Sequence, residues 1–290
     1  MPSENCSRIP KWLRTPLPKG RDYGHVRALL RDLGLNTVCQ SAKCPNCFEC
    51  FSNNVATFLV LGPECTRNCA FCNIAPGRPE PPDATEPARV AEAARRLGLR
   101  HVVVTSVTRD DLPDGGAAHF ADAVRAIRAA VPGCTTEVLI PDFQGDVDAL
   151  GTVLDARPDI LNHNVETAPR LYAAIRPQAD YAQSLELLAR VAKRGEMPAK
   201  SGLMVGLGET DEEVRAVIDD LADAGCAIVT VGQYMRPSRE HPAVERWVRP
   251  EVFEEYAEYG RSLGIRAMHC APLVRSSYHA ADFAPHKGSI

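Results

Sequence analysis

Between residues 57 and 263 the chain alternates two kinds of apolar pattern. Short, mostly β-branched runs stand at residues 57–61, 102–105, 136–140, 160–163, 202–206 and 228–232. Longer stretches rich in Ala, Leu, Arg and Glu, at 87–97, 116–131, 146–156, 181–194, 210–224 and 250–263, read as helices. Strand followed by helix, repeated, predicts a parallel sheet with right-handed crossovers. Six such units are too few for a closed eight-stranded barrel and suit an α/β fold of the partial (β/α)6 TIM-like kind, with a doubly wound sheet as the alternative. Thr210 and Glu213 have the spacing of a capping box, and Pro250 suits a first helical turn.

In a barrel, function collects beyond the C-terminal ends of the strands. The polar residues of this chain fall there. Thr105 and Ser106 lead into Thr108-Arg-Asp-Asp111, and Asn162-His-Asn-Val-Glu166 closes the fourth run. Gly206-Leu-Gly-Glu209 and Gln233-Tyr-Met-Arg-Pro237 close the fifth and sixth. Ordinary turn chemistry explains any one of these, whereas together they make a candidate rim.

Before the alternation, residues 1–32 carry seven basic residues against three acids, and the prolines at 10, 16 and 18 disfavour a helix before about Asp22. Residues 25–34 then read as a short helix ending at Gly34. We therefore divide the chain into an extension (1–54), the barrel (55–265) and a C-terminal tail (266–290).

Composition narrows the function. With 290 residues, 45% hydrophobic and 24% charged, the chain can bury a full core. Its net charge of −4 gives no sign of a nucleic-acid binder, and no apolar run has the length of a membrane span. The N-terminus lacks an export signal, so the eleven cysteines are expected to bind metal in a reducing, cytoplasmic setting rather than to form disulfides.

Three of those cysteines, Cys65, Cys69 and Cys72, share one eight-residue loop directly after the first strand run. A C-x3-C-x2-C loop can turn three thiolates to one face of a four-iron cube, leaving one iron open. A zinc site is the competing reading, but no matching ligand pair follows Cys72. The loop resembles that of the radical S-adenosylmethionine enzymes. The resemblance implies that the open iron chelates S-adenosylmethionine and that cluster reduction yields a 5'-deoxyadenosyl radical.

A second set, Cys39, Cys44 and Cys50, has C-x4-C-x5-C spacing. Paired with the loop, it closely resembles the lipoyl synthases. The likeness extends from about residue 11 to 282 and includes Asp114-Gly-Gly116, the stretch 202–209, Arg246-Trp-Val and Arg275-Ser-Ser-Tyr278. It implies two 4Fe–4S clusters, the auxiliary one held by Cys39, Cys44, Cys50 and a serine, Ser276 rather than Ser277, and sacrificed as sulfur donor. It implies that S-adenosylmethionine is met by Thr105, Ser106, Asn164 and Glu166. The substrate would be an octanoyl-lysine on a lipoyl carrier, a dehydrogenase E2 lipoyl domain or the glycine cleavage H protein. A ferredoxin or flavodoxin would supply electrons, with no nucleic acid or membrane involved. Two departures from the family pattern stand out. Thr108 replaces an expected Asp, and Cys47 is an extra thiol: a spectator, a buried apolar group or an alternative ligand. His163 and His269 are expected to be polar core or rim residues rather than catalysts. The rivals are a biotin-synthase-like sulfur-inserting enzyme and a two-cluster electron carrier.

Overall fold

The structure, a computed structural model, describes residues 9–14, 22–52, 56–278 and 280–283. Cys6 and Arg8, the stretch with Pro16, Pro18, Lys19 and Arg21, and Val55 lie outside the described residues. The chain divides into two compact units.

One unit comprises Leu17–Arg67, Ile74–Asn162 and Ser277–Ile290. It begins with α1 (Asp22–Asp32), β1 (Asn36–Thr37), α2 (Val38–Ser41) and α3 (Cys47–Ser52). Gly34, at φ 60, follows α1 as its sequence position predicts. Next come β2 (Thr57–Val60), the two-residue β3 (Glu64–Cys65) and β4 (Ala75–Pro76), then α4 (Glu86–Arg96), β5 (His101–Ser106) and α5 (Ala117–Ala130). The unit continues through β6 (Thr135–Leu139) and α6 (Val147–Asp155) to β7 (Ile160–Asn162). Strands β2, β5, β6 and β7 pair in parallel in that order, and β1 adds antiparallel beside β2. Every residue of β2 and β7 is buried, as in a sheet covered on both faces, so these runs carry no polar alternation. Helices α4 and α5 pack on each other through fully buried apolar residues that include Val90, Ala94, Phe120 and Val124.

The other unit comprises Asn68–Asn73 and His163–Ser276, with the N-terminal residues to Pro16. It holds α7 (Tyr172–Ile175), α8 (Tyr181–Arg194), β8 (Ala199–Val205), α9 (Asp211–Asp223), β9 (Ile228–Gln233), α10 (Pro250–Ser262) and β10 (Ala267–Ala271). Strands β8, β9 and β10 are parallel neighbours. The capping box forms in full: Glu213 N donates to the Thr210 hydroxyl, and Thr210 N donates to the Glu213 carboxylate. Tyr256 and Tyr259 donate to Asp211 and Asp219, tying α10 to α9. His163 is a core residue as expected, 1% exposed and hydrogen-bonded to Ser184.

All six expected strands are present, each within three residues of its predicted bounds at either end. The expectation needs one correction. Residues 267–271, assigned to a tail, form a parallel strand on β9, although Ala-Met-His-Cys-Ala has no β-branched residue to announce it. Pairing with a preformed neighbour overrides weak propensity here.

Candidate functional site

The first half of the cysteine loop is fastened within the larger β-unit that carries β2. The chain leaves β2 through two left-handed residues, Leu61 (φ 68) and Gly62 (φ 96). Buried groups take both backbone atoms of Leu61: its N–H donates to Glu86, which also meets His119 at 2.8 Å, and its carbonyl accepts from Arg109. Gly116 is required beside it, since a Cβ there would stand 2.3 Å from the Leu61 side chain. Further on, the Arg67 guanidinium makes paired bonds to Asp110 (2.7 and 2.9 Å) and to Asp142 (both 2.7 Å). The Cys65 sulfur accepts from the backbone N–H groups of Arg67 and Thr108. These two donors fix the position of the Cys65 sulfur. Thr108 works here through its main chain, giving N–H to Cys65 and its carbonyl to Thr66, so this structural part needs no carboxylate at 108.

The second half of the loop is fastened within the other unit. Asn68 N donates to Gln178, Ala70 N to the Ile175 carbonyl, and His241 meets the Cys72 carbonyl at 3.0 Å. Phe71, between the last two cysteines, packs with a buried cluster of Ile175, Leu207, Tyr234 and Val244. Nearby, Asn164 donates to Glu166 at 3.0 Å and to Ser276 at 3.2 Å, while its own side-chain oxygen is buried without a partner. Glu166 is half-buried at φ 66 and its carboxyl is pushed up, chiefly by burial, with Arg176, Asn164 and Arg275 opposing the rise. An orphaned acceptor beside a carboxylate is a fitting cradle for an ammonium group or a ribose hydroxyl. Of the other two expected cofactor contacts, in the first unit, Thr105 donates its hydroxyl to Leu139 within the sheet, whereas the Ser106 hydroxyl is buried and unpartnered.

Cys39, Cys44, Cys47 and Cys50 lie on the short turns of α2 and α3. Backbone bonds link them in a chain, from Cys44 N to the Cys39 carbonyl and from Cys47 N to the Cys44 carbonyl. Burial pushes the Cys39 thiol up to about 12 and Cys47 up to about 11, and the charge of Cys44 adds to both. Cys50 is raised by burial and then by Cys39 and Cys44. Burial and neighbouring thiols push Cys39, Cys47 and Cys50 up together, so positive metal is what would let them ionise, as an iron cube would supply. A cavity of about 430 Å³ opens on Cys50 and is also lined by Glu49, His101, Ser277 and Tyr278, with room for such a group. The Tyr278 hydroxyl donates to Glu49 at 3.0 Å. Among the described residues, no three His, Cys, Asp or Glu side chains close around a single point as ligands of one ion would.

Sequence reasoning missed Glu86, His119, Arg176 and His241, and named Arg109 only within the rim stretch. Nothing in their local sequence marks these residues, and only the fold shows what each holds.

The model of the radical SAM superfamily matches residues 59–221, and that of the N-terminal domain of lipoyl synthase matches residues 2–44. The chain is 69% identical over 280 residues to a lipoyl synthase of Oleidesulfovibrio alaskensis, covering 97% of this chain and 96% of that one. It is 55% identical over 274 residues to a lipoyl synthase of Caldanaerobacter subterraneus, covering 94% and 96%. Among solved structures it resembles coproporphyrinogen III oxidase of Escherichia coli, described as a radical SAM enzyme, with a TM-score of 0.53, 14% identity and coverage of 71% of this chain and 52% of that one. This likeness supports the α/β fold of that superfamily.

Proposed function

The chain belongs to the lipoyl synthase family of the radical S-adenosylmethionine superfamily, and from that membership we propose that it adds two sulfur atoms at C6 and C8 of a carrier-bound octanoyl chain. It is a sulfur-inserting enzyme that uses S-adenosylmethionine and two 4Fe–4S clusters, acts on a protein-bound octanoyl group and draws on a reductant. The carrier is a dehydrogenase E2 lipoyl domain or a glycine cleavage H protein, and the reductant a ferredoxin or flavodoxin. No described helix is long and apolar enough to cross a membrane, in keeping with a cytoplasmic setting.

Cys65, Cys69 and Cys72 would hold the cluster that works with S-adenosylmethionine, which would supply reductive cleavage of that cofactor and, through it, hydrogen-atom abstraction that no side-chain base could achieve on an unactivated chain. The clamps on Leu61 and Arg67 fasten the chain on either side of Cys65, and the bonds of Asn68, Ala70 and Cys72 fasten the stretch that carries the other two thiols. Asn164, Glu166 and Ser106 receive the polar groups of S-adenosylmethionine, and Thr105 shapes the strand end. Cys39, Cys44 and Cys50 hold the second cluster, completed by a serine of Arg275-Ser-Ser-Tyr278. Ser276 is the candidate from sequence, but its hydroxyl accepts from Asn164, whereas Ser277 lines the cavity with Cys50. That placement favours Ser277.

The observation that carries this reading is the presence of two separate cysteine triplets, one on a loop held by long-range bonds and one whose Cys50 borders a cavity. Anaerobic incubation with an octanoylated lysine peptide, S-adenosylmethionine and reductant should give a peptide carrying two added sulfurs, together with 5'-deoxyadenosine. Formation of 5'-deoxyadenosine without any sulfur-bearing peptide would overturn the substrate. For the serine, Ser277→Cys should assemble both clusters and fail at insertion while Ser276→Cys stays active, and the reverse would restore Ser276.

A further inference from the structure

Arg176 is 9% exposed, yet no sequence pattern marks it. Its Nη1 donates to two successive carbonyls, Asn164 and Val165, each at 3.1 Å, and to the Tyr172 hydroxyl at 3.0 Å. Its guanidinium lies 5.3 Å from the centre of the Tyr172 ring, whose hydroxyl in turn donates to Val165. The residues on either side of Arg176 grip the cysteine loop: Ile175 accepts from Ala70 N, and Gln178 accepts from Asn68 N. One short stretch therefore holds both the loop that ends in Cys72 and the backbone that presents Asn164 and Glu166. Ile175, the chain neighbour of Arg176, is bonded to Ala70, the residue after Cys69, which brings the fixed charge of Arg176 toward that cysteine as well as toward Glu166.

We propose that Arg176 is a positioning residue that sets the Asn164–Glu166 cradle against the cysteine loop and holds the potential of the loop cluster up with its fixed charge. The inference rests on the reading of Asn164 and Glu166 as S-adenosylmethionine contacts. The physical case has two parts. A guanidinium bonded to consecutive carbonyls fixes the peptide plane between them, and so fixes the side chains at 164 and 166 on either side of it. A buried cation near a ligand thiolate favours the reduced, more negative cluster, because net charge around a cluster tunes its potential.

The test uses the reconstituted holoenzyme with Arg176→Met and Arg176→Lys. Three quantities are read: iron content, S-adenosylmethionine affinity, and the midpoint potential of the cluster whose EPR signal changes when S-adenosylmethionine binds. Arg176→Met should keep its iron, weaken affinity about tenfold or more as a charged multiple hydrogen bond is lost, and shift the potential to more negative values. Arg176→Lys should restore the potential, having kept the charge, while affinity stays weakened because the lysine ammonium, one bond shorter than the path to Nη1, does not reach both carbonyls and the Tyr172 hydroxyl. If Arg176→Met does not load iron, Arg176→Lys alone decides. Unchanged affinity in either variant, or an unchanged potential in an iron-loaded Arg176→Met, would overturn the proposal. Glu166→Ala serves as the control on the underlying reading: wild-type affinity there would refute the cradle itself, whatever Arg176 does.

Discussion

Around Cys65 the chain is fastened by distant partners. Leu61 is held by residues 25 and 48 positions away, and Arg67 by carboxylates 43 and 75 positions away. Around Cys39, Cys44 and Cys50 the backbone bonds named above are local turns, and the framing is aromatic: Tyr23 rests against Phe48 and Phe51, with ring centres 4.7 and 5.7 Å apart. On the proposed function, the first region would hold its thiol set through many turnovers and the second would give up its contents, so retention and release of a metal cluster would correspond to two kinds of chain anchoring.

The sharpest way to break this contrast is to remove each thiol set in turn. Replacing Cys65, Cys69 and Cys72 by Ala should abolish reductive cleavage of S-adenosylmethionine. Replacing Cys39, Cys44 and Cys50 should leave cleavage intact and lower reconstituted iron from about eight to about four per chain. Equal cleavage by the two proteins would dissolve the distinction. The next largest effect concerns the anchor itself. Arg67→Leu takes the paired guanidinium away from the nearly inaccessible Asp142 carboxylate, which should cost about 3–5 kcal/mol in denaturant unfolding of the cluster-free protein.

A smaller effect should appear as a slope. The folded-state pKa of Glu166 is raised above the ordinary 4.5, so as pH climbs from there the native chain holds a proton that the unfolded chain has lost. Stability therefore falls as pH rises through that window. Glu166→Gln should flatten this part of the profile, as read by melting of the cluster-free protein at several pH values. Smaller again, Tyr278→Phe removes the bond to Glu49 and should cost only about 0.5–1.5 kcal/mol. Least of all, Cys47→Ala should leave iron content and activity unchanged, and loss of half the iron would make Cys47 a ligand.

Much of the scaffold was legible because its signals are periodic. The β-branched runs, the Thr210–Glu213 cap and Pro250 all stand where expected. The cysteine spacings were legible because a cluster needs several ligands close in sequence. The anchors were not. Glu86, His119 and Arg176 reach partners 11 to 33 residues away in the chain, and nothing local distinguishes them from solvated charges. β10 escaped for a related reason, since its pairing partner and not its composition makes it a strand. Between Ser276 and Ser277 the sequence offers no geometry at all, and a one-residue step decides which hydroxyl meets Asn164 and which borders Cys50.

The split anchoring of the cysteine loop also fixes a timetable. On a ribosome, Cys65, Cys69 and Cys72 emerge within one short interval, but Arg67 has no Asp142 until 75 more residues are made, and Cys72 waits 169 for His241. Until then the three thiols sit on an unfastened chain that is easily oxidised or occupied by the wrong metal. Delivery of iron and sulfide to this loop therefore belongs after synthesis of the barrel strands, and a nascent chain truncated before residue 241 should load that cluster poorly.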